Sequence, residues 1–190
     1  MDVFKAIRTR RSIRKYKPKP VSDDNLKKVL EAAHYAPSWA NTQCWHFIVV
    51  RDHEIKAAVA GCLTKIRFED EWLENEAARA IVQAPVLIVA CAKMGVAGCN
   101  PDGTTATDKG DWFMFDVALA VQNMTLAACA LGLGTVIVGS FDAKKAAEIL
   151  DVPEDYCVAT MTPLGLPDHA GQVPPRKELS DIVSYDKYGK

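Results

Sequence analysis

No two of the six cysteines, at positions 44, 62, 91, 99, 129 and 157, form a CxxC pair. Their wide spacing argues against a zinc site, an iron–sulfur cluster or a thioredoxin-type couple. They read instead as small core residues kept reduced in a cytosolic setting. The four histidines, 34, 46, 53 and 169, show no HxxxH spacing on one helix, so no metal site is expected. GxSxG is also missing, and nothing points to hydrolysis. No apolar run approaches the roughly 20 residues of a membrane span. The N-terminus has charges at Asp2 and Lys5 where a signal peptide would build its apolar region. These absences give the expectation of a cytoplasmic protein without a membrane partner. The formal net charge is only −1, which argues against nucleic acid as the main partner.

What is present is an ordinary globular balance. Hydrophobic residues make up 49% and charged residues 25% of 190 positions, enough for one domain, 1–190, with a sizeable core. Helices are expected over residues 2–9, 22–36, 53–63, 68–82, 111–131 and 142–150. Ser22 supplies a cap for the second, with Asp23 and Asp24 in its favourable first turn. The helix at 68–82 is expected from its early acids, Glu69, Asp70 and Glu71. Strands are expected at 45–50, 85–92, 135–138 and 156–164, the second as a central strand because its apolar run is unbroken. Residues 95–110 are rich in turn formers, and a loop of that length is often functional or mobile. A short helix is expected in the tail from Glu178. Helices and strands do not alternate regularly, so the fold class is α+β in layers.

Four segments suggest chemistry. Arg10-Arg11-Ser12-Ile13-Arg14 puts three guanidiniums and a hydroxyl in five residues, donors suited to a phosphate. It lies in a run of eight basic residues from Lys5 to Lys19 that no acid interrupts. A solvated basic face fits that composition equally well. In an extended chain Arg10, Ser12 and Arg14 would share one side and Arg11 the other. Ala36 to Trp45 joins a helix to a strand and carries the polar groups of Ser38, Asn41, Thr42 and Gln43, which serve either a ligand or a local turn. Leu131-Gly132-Leu133-Gly134-Thr135 holds a GxG, but it follows a helix and precedes a strand. A dinucleotide fingerprint needs the opposite order, so helix capping is the better reading for both glycines. Gly139 differs, because it closes a strand where a missing side chain lets a flat ligand approach. Pro174-Pro175-Arg176-Lys177 offers two more cations on a stiffened chain.

Taken together these segments resemble the FMN-dependent nitroreductase family over essentially the whole chain. The resemblance rests on Arg10 to Tyr16, on Ala36-Pro37-Ser38 with Asn41, Gln43 and Trp45, and on Asp111-Trp112 through Asp116. It continues through Ala120, Gln122-Asn123-Met124, Leu126-Ala127-Ala128 and Leu131 to Thr135, and closes with Pro174 to Lys177. It implies a nitroreductase-like sandwich, a central, mostly antiparallel sheet flanked by helices, built as an intertwined homodimer with an FMN site in each half of the interface. By this similarity Arg10, Arg11, Ser12 and Arg14 contact the phosphate or pyrimidine end of FMN, Arg14 leading at the pyrimidine carbonyl. Arg176 meets the phosphate from the tail. Pro37, Ser38, Trp39 and Asn41 face the flavin held mainly by the other subunit, and Ile137, Val138 and Gly139 lie along the ring. The implied activity is transfer of reducing equivalents from NAD(P)H through FMN to an organic acceptor such as a nitroaromatic, quinone or enone, in ping-pong order and without a protein nucleophile. Reductive dehalogenation, ene reduction, or flavin binding without efficient turnover are the alternatives on the same scaffold. The chain departs from the family pattern at Cys44, where proline is usual, and at Val136-Ile137, where many members have Cys-Trp.

Overall fold

Seven of the eight residues of strand β4 (Val86–Lys93) are buried, and successive side chains go to opposite cores. Leu87, Val89 and Cys91 enter one apolar cluster; Val86, Ile88, Ala90 and Ala92 enter the other. A strand buried on both faces has no polar side to show, which is why its sequence is apolar without alternation. The computed structural model describes residues 1–189. Around β4 a four-stranded sheet runs in the order β1 (Trp45–Val50), β4, β6 (Tyr156–Gly165), β5 (Gly134–Thr135), and every pairing is antiparallel. The ladder between β4 and β6 shifts register at Ala90/Cys91.

Helix α2 (Asp23–His34) and helix α5 (Phe113–Ala130) cover one face of the sheet. On α2 the Ser22 side chain accepts a hydrogen bond from the Asn25 N–H, and Leu26, Val29 and Ala33 are buried at helical spacing. Among the described residues α5 is the one helix long and apolar enough by composition to cross a membrane, with mean hydropathy 1.4. Here it is a core helix, with Val117, Val121 and Met124 buried against α2 and the sheet. Helices α3 (His53–Ala60), α4 (Ala77–Gln83) and α6 (Ala143–Ile149) cover the other face, where Val59, Ile81 and Ala146 are fully buried. Helix α1 (Val3–Thr9) lies beside α5.

Three expectations are corrected. Residues 68–82 are not one helix: β2 (Ile66–Phe68) and β3 (Glu71–Leu73) form an antiparallel hairpin, and the helix begins only at Ala77. Glu69 and Asp70 make the turn of that hairpin, with Glu69 at φ 52 and Asp70 paired to Arg67, and Glu71 opens β3. Ile66 and Trp72 are strand formers, which helix-like acid placement obscured. The strand expected at 135–138 ends at Thr135, and Val138 returns only as a single bridge to Met161. Of the two glycines assigned to capping, Gly132 alone caps α5. It sits at φ 76, its N–H bonds the Cys129 carbonyl at 3.0 Å, and the Leu133 N–H reaches the Ala128 carbonyl at 2.8 Å. Gly134 is a strand residue, where a Cβ would lie 2.8 Å from the Cβ of Ile13.

Candidate functional site

The N-terminal basic segment is placed by α1 and β5. The Arg10 N–H caps α1 on the Ala6 carbonyl, then the chain turns extended. Ser12 bridges Thr135 in parallel, and the Ile13 N–H donates to the Thr135 carbonyl at 2.9 Å. Ile13 packs down onto Gly134, so the residues on either side of it face outward. The simple alternation expected for 10–14 does not run through Arg10, because Arg10 still belongs to the helix end. Arg10 and Arg11 border one cleft of about 420 Å³ together with Ile13, Gly132 and His169. Arg14 borders a different cleft of about 590 Å³. Within the first cleft Arg11 is already engaged: its Nη1 donates to the Arg8 and Arg10 carbonyls, both at 2.7 Å. A cation on the last carbonyls of a helix completes bonds the helix cannot make itself.

The larger cleft collects Arg14, Ile137, Val138 and Gly139, four residues expected in one site. Its opposite wall is Ile66 and Leu73 of the hairpin, then Glu74, Asn75 and Glu76. Val136 and Val138 also line it and are buried, whereas Ile137 is exposed. A Cβ at Gly139 would meet no atom within 4 Å, so the backbone there borders open space. Asn75 is 8% exposed. Its Oδ1 accepts from the Ala77 N–H at 3.0 Å at the start of α4, and its amide N–H₂ has no partner among the described residues. An asparagine amide at a cleft wall can donate to a carbonyl-bearing ligand. Sequence reading passed over Asn75, whose one signal was a side chain able to cap just before an alanine-rich helix.

The segment 37–44 lines neither cleft within one chain. It is nonetheless tightly built. Ala40, Asn41 and Gln43 have φ values of 44, 56 and 48, a conformation costly for residues other than glycine. Asp116, 1% exposed, accepts a hydrogen bond from the Trp39 N–H at 3.0 Å. The Ser38 Oγ accepts one from the Gln43 N–H at 2.9 Å. The Cys44 thiol points at Asp116 from 3.9 Å. Burial pushes the Cys44 thiol up to about 11, and the Asp116 and Asp111 carboxylates add to it. Burial also raises the Asp116 carboxyl, with the Trp39 N–H and the Cys44 thiol opposing. Trp39 stacks obliquely on Trp112, which meets Phe115 edge-on, with ring centroids 5.4 and 5.1 Å apart. Arg176 lies on the exposed tail. The turn-rich 95–110 stretch is tied at its base, where the Gly95 N–H donates to Asp111 Oδ2 at 2.6 Å and the Trp112 N–H to the Ala97 carbonyl at 2.8 Å.

The antiparallel α+β sandwich holds two clefts beside its β5 edge, one bordered by Arg10 and Arg11 and the other by Arg14 with Glu74 and Glu76, and the sequence comparison names the class of scaffold. Residues 7–165 match the nitroreductase family, and the chain belongs to that family. A protein of Archaeoglobus fulgidus named NADH dehydrogenase/NAD(P)H nitroreductase is 35% identical over 170 residues, covering 87% of this chain and 86% of its own. The FMN reductase [NAD(P)H] of Bacillus subtilis is 27% identical, over 98% of this chain and 74% of its own. The solved structure of an FMN-dependent nitroreductase from Clostridium difficile superposes with a TM-score of 0.74 at 25% identity, covering 97% of this chain and 99% of that one.

Proposed function

We propose that this chain is an FMN-dependent oxidoreductase that passes reducing equivalents from NAD(P)H to an organic acceptor, and that it works as a homodimer. The observation that carries the reading is the cleft of about 590 Å³ in which a permanent cation, the Asn75 side chain and a side-chain-free backbone edge converge. Those groups fit a flat ring edged with carbonyls. FMN, when bound, supplies the hydride acceptor and the store of two electrons, so no protein nucleophile is needed. Arg14 stabilises negative charge at the pyrimidine edge, a fixed positive charge that needs no reorganisation. Asn75 donates to a ring carbonyl, and Ile137, Val138 and Gly139 lie along the ring. Arg10, Ser12 and Arg176 serve the phosphate, with Arg11 holding the end of α1 beside them.

Pro37, Ser38, Trp39 and Asn41 complete the site of the partner subunit in this reading. Exposed apolar side chains on α1, at the start of α5 and along the tail support such a partner. The single cleft admits donor and acceptor in turn, which makes the kinetics ping-pong. A nitro acceptor takes two electrons and two protons and leaves as the nitroso compound and water; a quinone leaves as the hydroquinone. The test is the visible spectrum of the purified protein. Flavin bands, released on denaturation at about one FMN per chain, are expected. A colourless protein that also fails to bind added FMN overturns the reading.

A further inference from the structure

The wall of the cleft opposite Arg14 carries an excess of negative charge. Between Lys65 and Glu76 there are five carboxylates against two cations, a local charge of −3, in a chain whose total is −1. Hairpin β2–β3 and the residues that follow it carry these groups beside the cleft. Ile66, Leu73, Glu74 and Glu76 line the cleft itself, while Glu69, Asp70 and Glu71 sit at the hairpin's turn and second strand. Both cations are already paired, Lys65 with Glu74 at 3.0 Å and Arg67 with Asp70 at 3.4 Å. Glu69, Glu71 and Glu76 have no cationic partner within 4 Å among the described residues. Asn75 lines the same cleft, 8% exposed, with its Oδ1 held by the Ala77 N–H at 3.0 Å.

We propose that the hairpin makes the site charge-selective: the acceptors it favours are flat, neutral or cationic aromatics, anionic ones are disfavoured, and NADH is preferred to NADPH. The inference rests on the reading that donor and acceptor meet a flavin in this cleft. Its physical basis is the field at the mouth. Arg14 is committed to the ring at the inner wall, so the charge met by an arriving molecule is that of the hairpin. Like charges lining a low-dielectric cleft focus the potential and raise or lower the local concentration of a charged substrate. The apolar side chains of Ile66 and Leu73, 45% and 46% exposed, offer a surface to an aromatic body, while the carboxylates around them choose its charge. The extra 2′-phosphate of NADPH meets the same field as an anionic acceptor. At separations of several ångströms in a largely aqueous mouth, the discrimination per substrate charge is on the order of three- to tenfold at low ionic strength.

The experiment compares 4-nitrobenzoate, 4-nitrobenzamide and (4-nitrobenzyl)trimethylammonium as oxidants of the pre-reduced holoprotein by stopped flow, at low and high salt. The same series is run on Glu69→Gln/Glu71→Gln/Glu74→Gln, with the neutral amide as internal reference in each protein. Relative to that reference, wild type should react about three- to tenfold less well with the anion than the variant does, and correspondingly better with the cation. Added salt should raise the wild-type anion ratio and lower the cation ratio. The variant should also narrow the gap in kcat/KM between NADH and NADPH. Anion and cation ratios that respond neither to salt nor to the substitutions overturn the proposal. Failure of the underlying reading shows differently, as a preparation without flavin absorbance, and overturns both together.

Discussion

The carboxylate of Asp116 accepts a hydrogen bond at 3.0 Å from the main-chain N–H of Trp39, joining the first turn of α5 to a segment 77 positions earlier. That contact sits where the backbone is least relaxed, since three of the residues from Ala40 to Gln43 are left-handed without being glycine. A conformation of that kind persists only when its surroundings over-determine it. Asp116 from below and Ser38 from within the turn provide the determination.

Replacing Asp116 therefore separates two effects. Asp116→Ala leaves the part-buried Trp39 N–H unpaired and should cost about 1–3 kcal/mol. Asp116→Asn keeps an acceptor and removes the charge. Because burial raises the folded-state pKa of this carboxyl, the native protein holds its proton more tightly than the unfolded chain does. Stability from that linkage is fully present below the unfolded pKa and is lost as pH rises through the raised folded value. The stability of Asp116→Asn relative to wild type should accordingly increase from acid to neutral pH. Urea melts of the two proteins at matched pH values check it, and a pH-independent difference removes the charge from the account.

The neighbouring arginines should behave unequally. Arg14→Ala removes a guanidinium from the larger cleft and should weaken FMN binding by tenfold or more, the loss of one charge-assisted hydrogen bond of about 1.5–3 kcal/mol. Arg11 spends its Nη1 on the Arg8 and Arg10 carbonyls. Arg11→Ala should thus show mainly as fraying of α1 in hydrogen exchange, with a smaller effect on flavin affinity. Fluorescence titration with FMN distinguishes them, and equal losses contradict the division of roles.

The same residues show what the sequence made legible. Strand β4 was plain because both its faces are buried, leaving an apolar run that no amphipathic element produces. Helix α2 was plain because its cap and its acids sit where the backbone needs acceptors and negative charge. The hairpin was hidden, since Glu69 turns the chain at φ 52 without the glycine or asparagine that usually announces such a turn. The grouping of Arg14 with residues 137–139 could be anticipated only through the family resemblance, for it depends on Ser12 bridging Thr135. Asn75 had only the weak local signature of a side chain able to cap an alanine-rich helix. Its importance comes from the start of α4 meeting the cleft wall, a relation that exists only in three dimensions.

Cysteine chemistry gives a further expectation. All six thiols are free. Burial pushes both Cys44 and Cys91 up to about 11, so near neutral pH they are protonated and poor nucleophiles. Cys99, Cys129 and Cys157 are only partly buried. Alkylation of the native protein at pH 7.5, followed by peptide mass mapping, should label those three well before Cys44 and Cys91, which react on unfolding. Early labelling of Cys44 would mean that the loop from Trp39 to Gln43 opens readily and that the Asp116 contact does not hold it.

Association should be inseparable from the flavin site. On α1 the side chains at positions 3, 4 and 7 form one helical stripe, and that stripe faces solvent: Val3 is 58%, Phe4 69% and Ile7 51% exposed. Met114 and Phe115 at the start of α5 are also exposed, as are Leu179, Ile182 and Tyr185 in the tail. Side chains of this kind on three separate elements need a covering surface, which a second copy of the chain supplies in the proposed homodimer. A stable partner requires roughly 800 Å² on each side. Phe4→Asp/Ile7→Asp should then shift the protein from dimer to monomer in sedimentation and lower FMN affinity along with it, although neither residue lines either cleft. Mixing settles whether the partner builds the site. Arg10→Ala/Arg14→Ala chains and Ser38→Ala/Asn41→Ala chains each have both sites impaired as homodimers. Unfolded and refolded together, their heterodimers contain one site with both defects and one with neither, so half of the heterodimer sites should regain wild-type FMN affinity. If heterodimers form and no affinity returns, each flavin site is made by a single chain and residues 37–41 act only within their own subunit.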